Sequence, residues 1–231
     1  MLQLINRKKI YFYLIIFLFI STTFNFNLSN NFREFGLINN INIKGLNKNE
    51  EIIVKDELKI LLNENNFFLK KNLILHKLNK FNFLDSITVK KILPSEINIY
   101  LKKTKFIGSS IIGGEKYYIG SNGKLTISKQ VKNEKSLPFV FGNFQIDDFL
   151  QLQHILNKLK INTEQINKYF YYRNKRWDLQ KEDGLLVMLP SKDLNSALMI
   201  YKNLIDNSML SEIKIVDLRI PNQIILTNEK K

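Results

Sequence analysis

Few side chains in this sequence have types and spacings suited to catalysis. His76 and His154 are the only histidines, they stand far apart, and there is no cysteine. A zinc site gathers three or four His, Cys or carboxylate ligands in one place, so these residues define no metal centre. The acidic pairs Asp147-Asp148 and Glu182-Asp183 are the next candidates, for general acid–base work. The first opens a helical pattern, where carboxylates favour the helix dipole. The second precedes Gly184 in a turn. Both have structural roles that suffice. No G-x-S-x-G elbow, glycine-rich phosphate loop or H-E-x-x-H occurs. The residues imply no enzyme, no cofactor and no small-molecule substrate. Trp177, the one tryptophan, lies in an alternating strand pattern and reads as a core residue rather than a partner hot spot.

The elements begin with an apolar run. Arg7, Lys8 and Lys9 precede Ile10 to Ile20, and the run tails through Ser21, Thr22 and Thr23 to Phe24, Phe26 and Leu28. A cleaved signal peptide would have a small-residue site behind its apolar stretch; here Phe24, Asn25 and Phe26 follow. An uncleaved membrane anchor over 10–28 is therefore expected, with residues 1–9 cytoplasmic and the rest exported across the cell inner membrane. The chain carries 35 basic and 21 acidic residues, net +14. The excess is spread as +3 over residues 1–35, +6 over 36–105 and +5 over 106–231. It is mostly lysine, with no basic stripe interleaved with aromatics, which argues against nucleic acid and leaves weak attraction to anionic headgroups or acidic partners.

Behind the run, Ile41 and Ile43 alternate up to Gly45 as a short strand. A helix is expected from Asn49 to Leu62, with Val54, Leu58, Leu61 and Leu62 on one face. A second helix carries Ile74, Leu78 and Phe81, and two strands follow around Ile87-Val89 and Ile97-Leu101, giving β-α-α-β-β. From Tyr117 the pattern is mainly β, with tight turns at Asn122-Gly123 and Asp183-Gly184 and helices expected at 146–159 and 194–205. The last apolar stretches are Val216 to Arg219 and Ile224 to Leu226.

The order of motifs resembles the FtsQ family of bacterial cell division, called DivIB in Gram-positive bacteria. Ile41-Asn42-Ile43-Lys44-Gly45 is similar to its opening strand, and Leu93-Pro94-Ser95-Glu96-Ile97 to the end of its POTRA module. Tyr118 to Gly123, Leu137-Pro138 with Gly142, Arg176-Trp177-Asp178-Leu179, and Val216-Asp217-Leu218-Arg219 follow in the family's order. Two departures stand out. Gly120 or Ser121 occupies a position where the family often has Asp, and Ile220 replaces an aromatic residue found in several relatives.

The resemblance implies an α+β fold: an N-terminal transmembrane helix, a POTRA-like module at 38–105, and a mainly β domain at 106–228 with two or more helices. It implies a bitopic, non-catalytic scaffold of the divisome. Such a protein recruits FtsB- and FtsL-like partners, the former by strand addition at the C-terminal edge, and helps regulate septal wall synthesis. Arg219 would offer a fork to a partner carboxylate, and Ile220, Asn222 and Ile224 alternating side chains. Three other classes compete. A POTRA-bearing component of outer-membrane protein assembly would carry more modules or a barrel. An exported wall hydrolase would need a catalytic constellation. A membrane-bound nucleic-acid binder would need an arginine-rich patch, and only four arginines follow the apolar run.

Overall fold

The computed structural model describes residues 7–22, 35–131, 136–207, 209–210, 212–221 and 223–228. Helix α1, Arg7–Thr22, has 16 residues and a length of about 24 Å. The side chains from Ile10 to Ile20 are exposed around its whole circumference. Among the described residues no helix is long and apolar enough to cross a membrane. The expected transmembrane helix over 10–28 is thus not seen as such; its last part, 23–28, lies outside the described residues.

The chain divides into two compact units. One comprises Met1–Lys44, Glu51–Leu78 and Thr88–Tyr100; the other Gly45–Glu50, Asn79–Ile87 and Leu101–Lys231. The division cuts through two strands of a three-stranded sheet. That sheet has the order β1 (Asn40–Lys44), β3 (Glu96–Lys103), β2 (Leu84–Ile92), with β1 parallel to β3 in the register Ile41↔Ile97 and Ile43↔Ile99. Alternation buries these four isoleucines. Helix α2, Lys48–Leu58, buries Val54 and Leu58 at i, i+4, and α3, Lys71–Leu78, buries Ile74 and Leu78.

Two details differ from the sequence pattern. Helix α2 gives way to a 3-10 turn at Lys59–Leu61, and Asn63 follows at φ +71 with its N–H on the Ile38 carbonyl. Leu62 is consequently exposed instead of on the apolar face. Phe81 falls beyond the end of α3, where Leu84 N–H bonds back to the Phe81 carbonyl.

The larger unit is built on a nine-stranded mixed sheet, in the order β12-β11-β10-β9-β8-β7-β4-β5-β6. The strands are β4 Phe106–Ile112, β5 Glu115–Gly120, β6 Leu125–Ile127, β7 Phe139–Phe141, β8 Ile166–Tyr171, β9 Trp177–Lys181, β10 Leu186–Met188, β11 Ile213–Asp217 and β12 Ile225–Asn228. Helices α4 (Ile146–Lys158) and α5 (Leu194–Asp206) bury Phe149, Leu152 and Leu156, and Ala197, Leu198, Tyr201 and Leu204. These join Val140, Tyr169, Leu179, Val187 and Val216 of the sheet in one core. Trp177 is buried there, 4.6 Å from Tyr171 and 5.8 Å from Phe149 between ring centres. Gly142 is a position that only glycine fits. It has φ +102, and a Cβ there would lie 2.2 Å from the Tyr171 carbonyl oxygen.

Candidate partner-docking edge

The large sheet ends in β6 on one side and in β12 on the other. The C-terminal end is β12. Its partner on one side is β11, antiparallel in the register Asp217↔Ile225, Val216↔Leu226 and Ile215↔Thr227. Among the described residues no strand lies beyond it in the sheet order, and Ile225 to Asn228 are all exposed. A strand in that position presents a row of backbone N–H and C=O groups to solvent, ready to pair with another chain. Val216 and Asp217, which open the Val216-Asp217-Leu218-Arg219 motif, lie in β11, an interior strand with β10 on one side and β12 on the other.

Between β11 and β12 the chain turns, with Gln223 N–H on the Ile220 carbonyl and Pro221 inside the turn. Arg219, Ile220 and Ile224 are exposed and flank this turn; Asn222 lies outside the described residues. The alternation of Val216 and Leu218, both buried, stops there: Ile220 is exposed because the strand ends at Asp217. Ala197 and Ile200 of α5, with Leu218, Ile220 and Pro221, line a shallow cavity of about 80 Å³ beside the turn, close to the size of one aliphatic side chain.

Arg219 is not idle in the free chain. Its Nε lies 2.9 Å from both carboxylate oxygens of Asp217, its Nη2 lies 2.5 Å from Oδ2, and its backbone N–H donates to Oδ1 at 3.0 Å. The hydrogen bonds from Arg219 hold the Asp217 carboxyl below the usual aspartate range, and the same contacts raise Arg219 above the usual arginine value. Asp217 takes the Nε–Nη2 edge of the guanidinium. The group has five N–H donors, so its Nη1 side can still meet a second carboxylate.

A matching pair lies two strands away. Arg176 donates from Nε to Asp178 Oδ1 at 3.1 Å and from Nη2 to Oδ2 at 3.2 Å, and stacks over Tyr172 at 4.3 Å. Asp178 is buried, and that burial raises its carboxyl above the usual range although Arg176 pulls the other way. The ladder register sets Asp178 opposite Met188 and Met188 opposite Asp217. The two ion pairs therefore lie on the same face of the sheet, with Met188 between them. Asp178 and Asp217 stand within the Arg176–Leu179 and Val216–Arg219 motifs, where the resemblance gives them no role of their own. Their signal was present in the mirrored spacings Arg-x-Asp at 176–178 and Asp-x-Arg at 217–219, which put both charges of each pair on one face of a strand.

Trp177, expected in the core, is there. Among the described residues no three His, Cys, Asp or Glu side chains form a metal-binding group. Asp148 accepts a hydrogen bond from the Tyr171 hydroxyl at 2.8 Å, and Asp183 accepts one from Leu185 N–H in its turn.

The fold and this edge define a class: an α+β protein with a POTRA-type β-α-α-β-β arrangement and a large sheet that ends in an exposed strand. Residues 37–103 match the family described as POTRA domain, FtsQ-type, and residues 111–219 the family described as cell division protein FtsQ/DivIB, C-terminal. The chain belongs to the FtsQ/DivIB family of bacterial cell-division proteins. It is 24% identical over 143 residues to cell division protein FtsQ of Rhizobium meliloti (strain 1021), covering 61% of this chain and 46% of that protein. With cell division protein FtsQ of Bradyrhizobium diazoefficiens it shares 26% identity over 164 residues, 69% of this chain and 47% of that protein. The chain thus spans about half the length of these curated relatives. The extracytoplasmic domain of the cell-division protein DivIB from Geobacillus stearothermophilus aligns at 16% identity and a TM-score of 0.32, over 46% of this chain and 97% of that one. The C-terminal family match ends at Arg219, just before the turn and β12.

Proposed function

We propose that this chain is a bitopic, non-catalytic divisome scaffold. Residues 1–9 lie in the cytoplasm, the apolar segment 10–28 anchors the chain in the inner membrane, and modules at 38–105 and 106–228 work on the far side. FtsB- and FtsL-like division proteins are its partners, and through them it influences septal wall synthesis. An extended partner segment adds to the β12 edge, places an acidic side chain against Arg219 and seats an apolar one beside Ile220.

The observation that carries this reading is the exposed strand β12 at the end of a nine-stranded sheet, next to a charged fork and a one-side-chain cavity. Main-chain pairing of this kind supplies affinity, and neighbouring pockets supply selectivity. The test is co-purification of the full-length tagged chain with the FtsB- and FtsL-like proteins of its own cell, before and after Thr227→Pro. Proline in an edge strand removes one of its backbone donors. Loss of the partners from a folded variant supports strand addition; full retention rejects it.

A further inference from the structure

We propose that the end of the first unit at which the chain arrives from α1 is a lipid-contacting surface that rests on anionic headgroups. Five large apolar side chains are exposed there. Phe35 and Phe67 stack at 5.8 Å between ring centres, and Asn65 donates from Nδ2 to the Phe35 carbonyl. Phe68, next in the chain, is 83% exposed. Asn66 donates from Nδ2 to the carbonyls of Ile92 and Glu96, at 3.2 and 3.1 Å, and so holds the β2–β3 turn, with exposed Ile92 and Leu93, beside the same loop. Isolated exposed apolar residues are ordinary on a protein surface. Five held together at one tip mark an interaction surface.

The occupant follows from chain length and charge. Only residues 23–34 separate Thr22 from Phe35, a reach of at most about 47 Å at ~3.6 Å per residue. This step rests on the reading of the apolar segment as an anchor: if it is one, the tip cannot leave the neighbourhood of the bilayer. The tip's charges are Lys70 and Lys71, both exposed, and Lys91, which donates to the Leu69 carbonyl, against Glu64 and Glu96. Phenylalanine and aliphatic side chains at the acyl boundary with lysines reaching the phosphates are the mixture that interfacial surfaces use.

The chain has no native cysteine, so Phe68→Cys takes a single nitroxide label, and Leu93→Cys provides a second position that leaves all three phenylalanines in place. The full-length protein is reconstituted in phosphatidylglycerol–phosphatidylethanolamine vesicles, and label depth is read from oxygen against nickel-chelate collisions. Labels at 68 and 93 should lie about 5–10 Å below the headgroup boundary. A label at Lys44→Cys, exposed at the end of β1 away from the Asn40–Glu96 pair, should stay aqueous. Lys70→Glu with Lys71→Glu, or phosphatidylcholine vesicles, should move labels 68 and 93 toward water. Aqueous labels at 68 and 93 on protein that still floats with the vesicles would overturn the surface and leave the anchor reading standing. Protein that does not float would overturn the anchor reading itself. Dipolar broadening between labels on two copies would assign the tip to self-association instead.

Discussion

Reversing the charge at position 219 separates a docking arginine from a structural one. In the free chain the guanidinium is about half exposed, its side chain at 45%, while the Asp217 side chain beneath it is at 12%. An ion pair exposed on its arginine side adds little to folding stability, so Arg219→Glu should lower the melting temperature only modestly, through the new carboxylate set beside Asp217. Binding is different. A partner strand added to β12 as proposed would cover this corner and take the remaining solvent away from the fork. Replacing attraction by repulsion there should weaken partner binding roughly thirtyfold or more. Asp217→Asn should act the other way: it releases the Nε–Nη2 edge for a two-point grip on the partner carboxylate, and affinity should rise several-fold. The assay is titration calorimetry of each full-length variant with the partner's exported segment, alongside a thermal melt. Unchanged affinity in a folded Arg219→Glu protein would refute the contact. Lost affinity with a collapsed melting temperature would show that Arg219 serves the fold.

Two further predictions concern stability. Trp177→Ala empties a site packed by Tyr171, Phe149 and Phe144; it should cost about 3–5 kcal/mol, read as a shift in denaturant midpoint, and a native midpoint would contradict the core assignment. For pH, the folded-state pKa of Asp217 lies below its ordinary value. Its contribution is therefore complete above the unfolded value of about 4 and is lost as pH falls through the lower folded one. Melting temperatures of the native chain and Asp217→Asn should differ by a small, constant margin above about pH 4 and draw together as pH falls below it toward the folded-state value; a margin that does not change with pH would rule out the linkage.

Much of the architecture follows from local pattern. The alternation at Ile41-Ile43 and Ile97-Ile99, the Asn122-Gly123 and Asp183-Gly184 turns, and the apolar faces of α4 and α5 depend on near neighbours in sequence. Helix ends were harder to read: Leu62 fits the α2 periodicity, but the Asn63 backbone bonds to Ile38 and the helix stops early. The edge was harder still. Strand order is set by contacts distant in sequence, so the pattern around Val216 to Thr227 could not tell that β11 sits inside the sheet and β12 at its end. For the same reason the two Arg–Asp pairs were readable singly. Their common face required the β9–β10–β11 register.

The central claim, strand addition at β12, is tested most directly by hydrogen–deuterium exchange of the full-length chain with and without a saturating FtsB-like partner. The account predicts new protection of amides in Ile225–Asn228, the edge strand, with the interior strands unchanged. Protection confined to other segments, with β12 exchanging as in the free chain, would contradict it.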